Sequence, residues 1–175
     1  MDFIEQINDS KYWPSFERPD HLRDLNEIAD EAFDKHTIEG YLAALLIYHQ
    51  LCEEMAKLLI EDSRFFIRAS IYPTEIEFSK SNNIMFGRTI EQLKDVVDFH
   101  ERKYFIQKCQ SFNQIRNSLS HGLTKQTSID EIKKKLVKVK KIFDEIFELF
   151  NNAHDWFLLC FKDFRKDKFL DYQDE

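Results

Sequence analysis

Three observations predict an all-α fold, an antiparallel bundle of four to five main helices. The first is the scarcity of turn residues. With 3 Gly and 3 Pro in 175 residues, the chain has little material for the tight connections of sandwiches, barrels or doubly wound sheets. The second is bulk: 43% of the residues are hydrophobic and 17 are Phe, which excludes a disordered chain and supplies one sizeable core. The third is periodicity. Apolar residues recur at helical spacing over long stretches with short connections between them, and such helices pack as antiparallel neighbours. One domain over 1–175 is expected, with 1–19 an N-terminal arm and 162–175 a charged C-terminal tail.

The arm holds Phe3, Ile4, Ile7, Tyr12, Trp13 and Phe16, punctuated by Pro14 and Pro19, and reads as a short helix and an extended piece pinned by aromatics. From Asp20, the positions Leu22, Leu25, Ile28, Ala32 and Phe33 mark the first main helix. Thr37 can cap the second, whose stripe runs from Ile38 through Tyr41, Leu45, Tyr48, Cys52 and Met55 to Leu59,. Residues 74–87, with the alternating TEIEF and then SKSNN, read as a loop with a strand-like piece. Ile90, Leu93, Val96 and Val97 mark a third helix. A fourth is expected from about Lys103 to Ser120, closed by Gly122 as a left-handed C′ residue. Ser128 and Glu131 form an S-x-x-E capping box opening the last helix. Its stripe, Ile129 to Cys160, is about 30 residues, or about 45 Å.

Charge and composition exclude several functions. Lys plus Arg number 25 against 32 acidic residues, a net charge of −7, which opposes indiscriminate nucleic-acid binding. The longest apolar run, Tyr41 to Tyr48, is far short of a membrane span. The first residues carry no basic or apolar leader pattern, and Cys52, Cys109 and Cys160 form no CxxC. A cytoplasmic protein with reduced, buried thiols and no membrane contact is expected. His49 and Cys52, three apart, lack a second pair to complete a zinc site, so no metal and no cofactor are expected. Glu53 and Glu54 read as a wet helix face, His154 and Cys160 as isolated residues, and the Trp13 and Trp156–Phe157 aromatics as core or interface. Phosphate loops, G-x-S-x-G elbows and HExxH are absent from the sequence.

One segment stands apart: Gln114-Ile115-Arg116-Asn117-Ser118-Leu119-Ser120-His121-Gly122. On a helical wheel with Arg116 at zero, Ser120 falls near about 40°, Asn117 near about 100° and His121 near about 140°. Ile115, Leu119, Phe112 and Phe105 fall between about 260° and 340°. One face is therefore core, and the other is a polar arc. That arc combines a permanent planar cation suited to phosphate with an amide, a hydroxyl and an imidazole able to move protons near neutral pH. The plain alternative is a solvated helix end with a Gly cap.

Spacing and residue types here resemble the HEPN superfamily, whose signature is Arg, four to six residues, then His, with a polar residue often following the Arg. Arg116, Asn117 and His121 match. The segment Tyr41–Ile60 with Glu53-Glu54, and the Phe86-Gly87 turn, are similar in style, which extends the likeness loosely over residues 20–160. The resemblance implies metal-independent RNA cleavage by a homodimer whose site is composite. In it Arg116 steadies the negative charge at phosphorus, His121 acts as general acid or base, and Asn117 orients His121 or binds a phosphate oxygen. It also implies a toxin or antiviral role, often restrained by a nucleotidyltransferase-like antitoxin protein. Ser120 with Lys133, Lys134, Lys138 and Lys141 are the candidate RNA contacts, although a solvated face is the plainer reading of the lysine run. Some members of that family have lost activity, so a non-catalytic helical regulator or adaptor binding a protein partner is the alternative.

Overall fold

The structure is a computed structural model and describes residues 2–79, 85–126 and 128–167, with side chains through Phe164. Among the described residues every regular element is helical: α1 (Phe3–Asn8), α2 (Pro19–Asp34), α3 (Ile38–Ile71), α4 (Phe86–Gln92), α5 (Arg102–Gly122) and α6 (Ile129–Asp167), with 3₁₀ turns at Ser10–Tyr12 and Leu123–Lys125.

Local chemistry explains where these helices begin. Asp2 caps α1 by accepting from the Ile4 N–H, while Glu5 reaches back to the Asp2 N–H, a reciprocal box that satisfies two orphan donors. The arm is pinned as expected. The Trp13 indole donates to the Ile7 carbonyl at 3.0 Å and meets Phe161 edge-on, and Phe16 lies against Phe150. Pro19 opens α2 at a position where its missing N–H is no loss,. The Thr37 hydroxyl caps α3 by accepting from the Gly40 N–H at 3.1 Å. The Ser128 hydroxyl accepts from the Glu131 N–H at the start of α6.

Three expectations are corrected. Helix α4 ends at Gln92, and Val96 and Val97 lie beyond it. The connecting backbone is satisfied by side chains instead: Ser63 Oγ accepts from the Val97 N–H at 2.9 Å, and Arg102 donates to the Lys94 and Val96 carbonyls,. Residues 74–79, which include TEIEF, form no strand; residues 80–84 of that loop lie outside the described residues. Helix α6 has 39 residues, about 58 Å at 1.5 Å each, because its apolar stripe continues through the fully buried Phe161 to Phe164. The segment read as a tail from 162 therefore begins inside this helix, and 168–175 lie outside the described residues.

The four long helices α2, α3, α5 and α6 alternate in direction along the chain. Asp30–Tyr48 and Phe33–Tyr41 set α2 antiparallel to α3, and Lys108–Glu145 with Lys135–Gln126 do the same for α5 and α6. Helices α3 and α6, two reversals apart, run parallel: Tyr48 stacks on Phe143 at 4.2 Å, and Phe65 meets Phe161 at 4.8 Å. This pair forms the centre, flanked by α2 and α5, and each fully buried Phe or Leu in it contributes about 1.5–3 kcal/mol. Short α4 packs on both α3 and α5.

The α3–α6 seam also buries a carboxyl group, hydrogen-bonded to a half-buried imidazole. Asp62 is fully buried and its Oδ2 lies 2.7 Å from His154 Nδ1, while its Oδ1 has no partner. His154 is thus not the isolated residue its sequence position implies. Burial pushes the Asp62 carboxyl up to about 6, with the His154 hydrogen bond and charge opposing and Glu61 adding to the rise. An acid whose folded pKa lies above its unfolded 3.8 binds more protons folded than unfolded between those values. Its contribution is therefore present below pH 4 and lost as pH rises towards 6. Denaturant unfolding of the wild type and of Asp62→Asn across pH 4–7 should show the wild type losing ground to the variant over that window. Parallel pH profiles would mean that the carboxyl titrates alike in both states.

Candidate functional site

Helix α5 carries the Arg-x4-His segment. Phe105, Cys109, Phe112 and Leu119 are buried on it, as is Ile106. On the same wheel Cys109 and Ile106 fall near about 20° and about 80°, which moves the centre of the core face onto Arg116. Arg116 is accordingly half-buried rather than on a solvent-facing arc. Its Nη1 donates to Asn117 Oδ1 at 3.0 Å, Asn117 Nδ2 donates to Asn113 Oδ1, and its Nε is buried without a partner. Among the described residues no carboxylate lies within ion-pair distance of it. Asn117 therefore holds the guanidinium and not His121.

His121 is exposed in the last turn of α5 and has no hydrogen-bond or ion-pair partner among the described residues; Ser120 is also exposed. Arg116 and His121 lie about 140° apart around the helix, one turned towards α3 and the other outward. Gly122 is not the left-handed residue expected: its φ is −129° and ψ 15°. The chain instead continues into the 3₁₀ turn, and Gln126 Nε2 donates to the Gly122 carbonyl at 3.0 Å, so a side chain and a tightened turn satisfy the helix end.

His49, which in sequence reads only as half of an incomplete zinc pair with Cys52, lies instead within electrostatic reach of Arg116. Its ring is 6% exposed, edge-on to Phe86 at 5.2 Å and near Phe112. Burial first, and the charge of Arg116 second, hold its imidazole below the ordinary histidine range, with Glu53 opposing. The charge of Arg116 is thus felt at His49 across the α3–α5 packing. Glu53 and Glu54 both bind Lys57 Nζ at 2.9 Å, so they are not free carboxylates for acid–base work. The signal was present in the sequence: His49 and Glu53, one turn apart, share a face of α3. Only the α3–α5 packing reveals which residue they face. Cys52 and Cys109 are buried thiols pushed up by burial, Cys160 is half-buried, and the described residues contain no group of side chains able to hold a metal.

The lysine run divides by environment. Lys140 bridges Asp30 and Asp144, and Lys135 binds Glu131 and Gln126. Lys133 is half-buried, whereas Lys134, Lys138 and Lys141 are exposed on one face of α6 without an ion-pair partner among the described residues. Solvated lysines of this kind predict that changing all three to Gln leaves the salt dependence of RNA binding unaltered. A slope lowered by roughly 0.7 per lost contact would place a single-strand backbone there.

No helix among the described residues is long and apolar enough to cross a membrane. A scan against protein-family models finds no match to the chain, and comparisons with curated proteins and with solved structures find none either.

Proposed function

We propose that the chain is a metal-independent endoribonuclease of the HEPN type, acting in the cytoplasm as a homodimer. One observation carries this reading: Arg116 is a half-buried guanidinium held by the Asn117 amide, with its Nε unpartnered and no carboxylate within ion-pair distance among the described residues. Withdrawing a cation from water without a counter-ion is unfavourable by itself, and an anion from outside would complete the site. The phosphate of an RNA backbone supplies that anion, and Arg116 would then steady the charge developing on its oxygens as the phosphorus becomes crowded.

His121, exposed and one turn beyond, has the group needed for proton transfer. The 2′-hydroxyl gives up its proton as its oxygen attacks phosphorus, and the departing 5′-oxygen takes one. Two imidazoles, one from each copy across a two-fold axis, would fill the base and acid roles, and the outward direction of His121 suits such a composite arrangement. Asn117 acts here through Arg116. A toxin restrained by a nucleotidyltransferase-like antitoxin protein would fit this chemistry.

Purified protein, freed of any partner and kept in EDTA, should degrade single-stranded RNA, with products ending in phosphate on the 2′,3′ side of the break. Intact RNA under these conditions would overturn the nuclease reading and leave a helical adaptor that binds a protein partner.

A further inference from the structure

Arg116 imposes a direction on the amides beside it. A guanidinium carries only donors, so its Nη1 bonds the oxygen of the Asn117 amide, at 3.0 Å. The Asn117 nitrogen is thereby turned back along α5, where it donates to Asn113 Oδ1 at 3.5 Å. Both amide oxygens are engaged within this row, and the atom left at its end is the Asn113 nitrogen. Asn113 is half-buried; its Nδ2 makes no hydrogen bond among the described residues and is not closed off from solvent. It lies beside Gly87 of α4: a Cβ built on that glycine would be 3.5 Å away. The site thus presents an open donor one helical turn, about 6 Å, along α5 from Asn117.

We propose that Asn113 determines which base the site accepts, by donating from Nδ2 to the exocyclic oxygen of a keto base, O4 of uracil or O6 of guanine. This inference rests on the proposed reading of Arg116 as a phosphate contact. Cytosine and adenine carry an amino group at that position, and a donor set against a donor leaves both unpaired. A site that recognises its substrate through a hydrogen bond rejects the analogue that lacks it. Two features favour a base over a second phosphate. The amide is uncharged, whereas phosphate is held best by cations. Gly87 places no side chain at its flank, which leaves room for the edge of a flat ring.

The test measures binding of the full chain to short 2′-O-methyl oligouridine and oligocytidine, which lack the reacting hydroxyl and so are not cleaved. Fluorescence anisotropy should show the uridine strand bound about tenfold more tightly, the equivalent of one good hydrogen bond. Asn113→Ala should bring the two affinities together. Asn113→Asp keeps an oxygen for Asn117 and turns the outward donor into an acceptor, so the preference should invert. The ratio is the readout, because the added charge near Arg116 weakens both strands alike. Equal binding of the two strands by the wild type overturns the proposal, as does a preference that survives Asn113→Ala. No wild-type preference with a uniform loss in that variant overturns it in favour of a phosphate contact. Failure of the nuclease reading looks different: a uridine preference in a protein that leaves RNA intact in EDTA retains the base selection and removes only the catalysis. A protein that binds neither strand loses both. The wild-type comparison decides the matter even where the variants fold poorly.

Discussion

Arg116→Met is expected to lower RNA cleavage about a hundredfold, the equivalent of on the order of 3 kcal/mol of transition-state stabilisation, while leaving the fold as stable as before or more so. The two halves of this expectation have different origins. The loss of rate follows from the proposed nuclease reading, in which the guanidinium meets charge that develops only in the transition state. The gain in stability follows from the structure alone. Met retains an unbranched apolar stem of similar length, and it removes a half-buried cation whose Nε has no partner,. Arg116→Lys should also fail as a nuclease, since it keeps the charge and loses the planar fork and the Asn117 contact,. His121→Ala should cost a hundredfold or more in rate and, being exposed, change stability by no more than about 0.5 kcal/mol. Denaturant unfolding and a cleavage assay on the three variants check this. Should Arg116→Met unfold the protein in proportion to its loss of activity, the guanidinium is a structural element and its role at phosphate is refuted.

The helical class and most helix positions were legible because they depend on local signals. The Thr37 and Ser128 caps, the stripes of α3 and α6 and the aromatic arm each act over a few residues. What escaped was tertiary. Arg116 looked solvent-facing because the wheel was centred on Phe and Leu; Cys109 and Ile106, less conspicuous core residues, shift the buried face by enough to include it. Gly122 looked like a left-handed cap because the sequence does not show that Gln126 will take the Gly122 carbonyl. Val96 and Val97 continued a helical period, yet Ser63 and Arg102 from α3 and α5 capture that backbone. In the sequence His49 reads as half of an incomplete zinc site with Cys52, and His154 as an isolated residue. Their partners, Arg116 and Asp62, are 67 and 92 residues away in sequence, and no local pattern encodes such a pairing. In the candidate site the identity of the charged residue could therefore be read from the sequence, whereas its burial and lack of a counter-ion could not.

Gly40→Ala is expected to destabilise the protein by about 3 kcal/mol, against the sign that helix propensity gives. In the first turn of a helix Ala is favoured over Gly by up to about 1 kcal/mol, and the less flexible unfolded chain adds to the gain. Gly40, however, lies where α3 meets the last turn of α2, and a Cβ built there would sit 2.1 Å from the Ala32 carbonyl oxygen and 3.3 Å from Thr37 Oγ1. The first of these atoms is backbone, so relief requires α2 and α3 to separate or the Thr37 cap to break, and forced overpacking of this kind costs about 1–3 kcal/mol or more. The other two glycines provide the control. A Cβ at Gly87 would meet its nearest neighbour, Asn113 Nδ2, at 3.5 Å, and one at Gly122 would meet Gln126 Nε2 at 3.6 Å; neither glycine has a positive φ. Both are ordinary contacts, so Gly87→Ala and Gly122→Ala should be neutral or stabilising. Three unfolding curves therefore separate the effects: if sterics dominate at Gly40 alone, its variant falls well below the wild type while the other two hold or rise. A Gly40→Ala protein as stable as the wild type would show that the α2–α3 approach is looser than the structure places it.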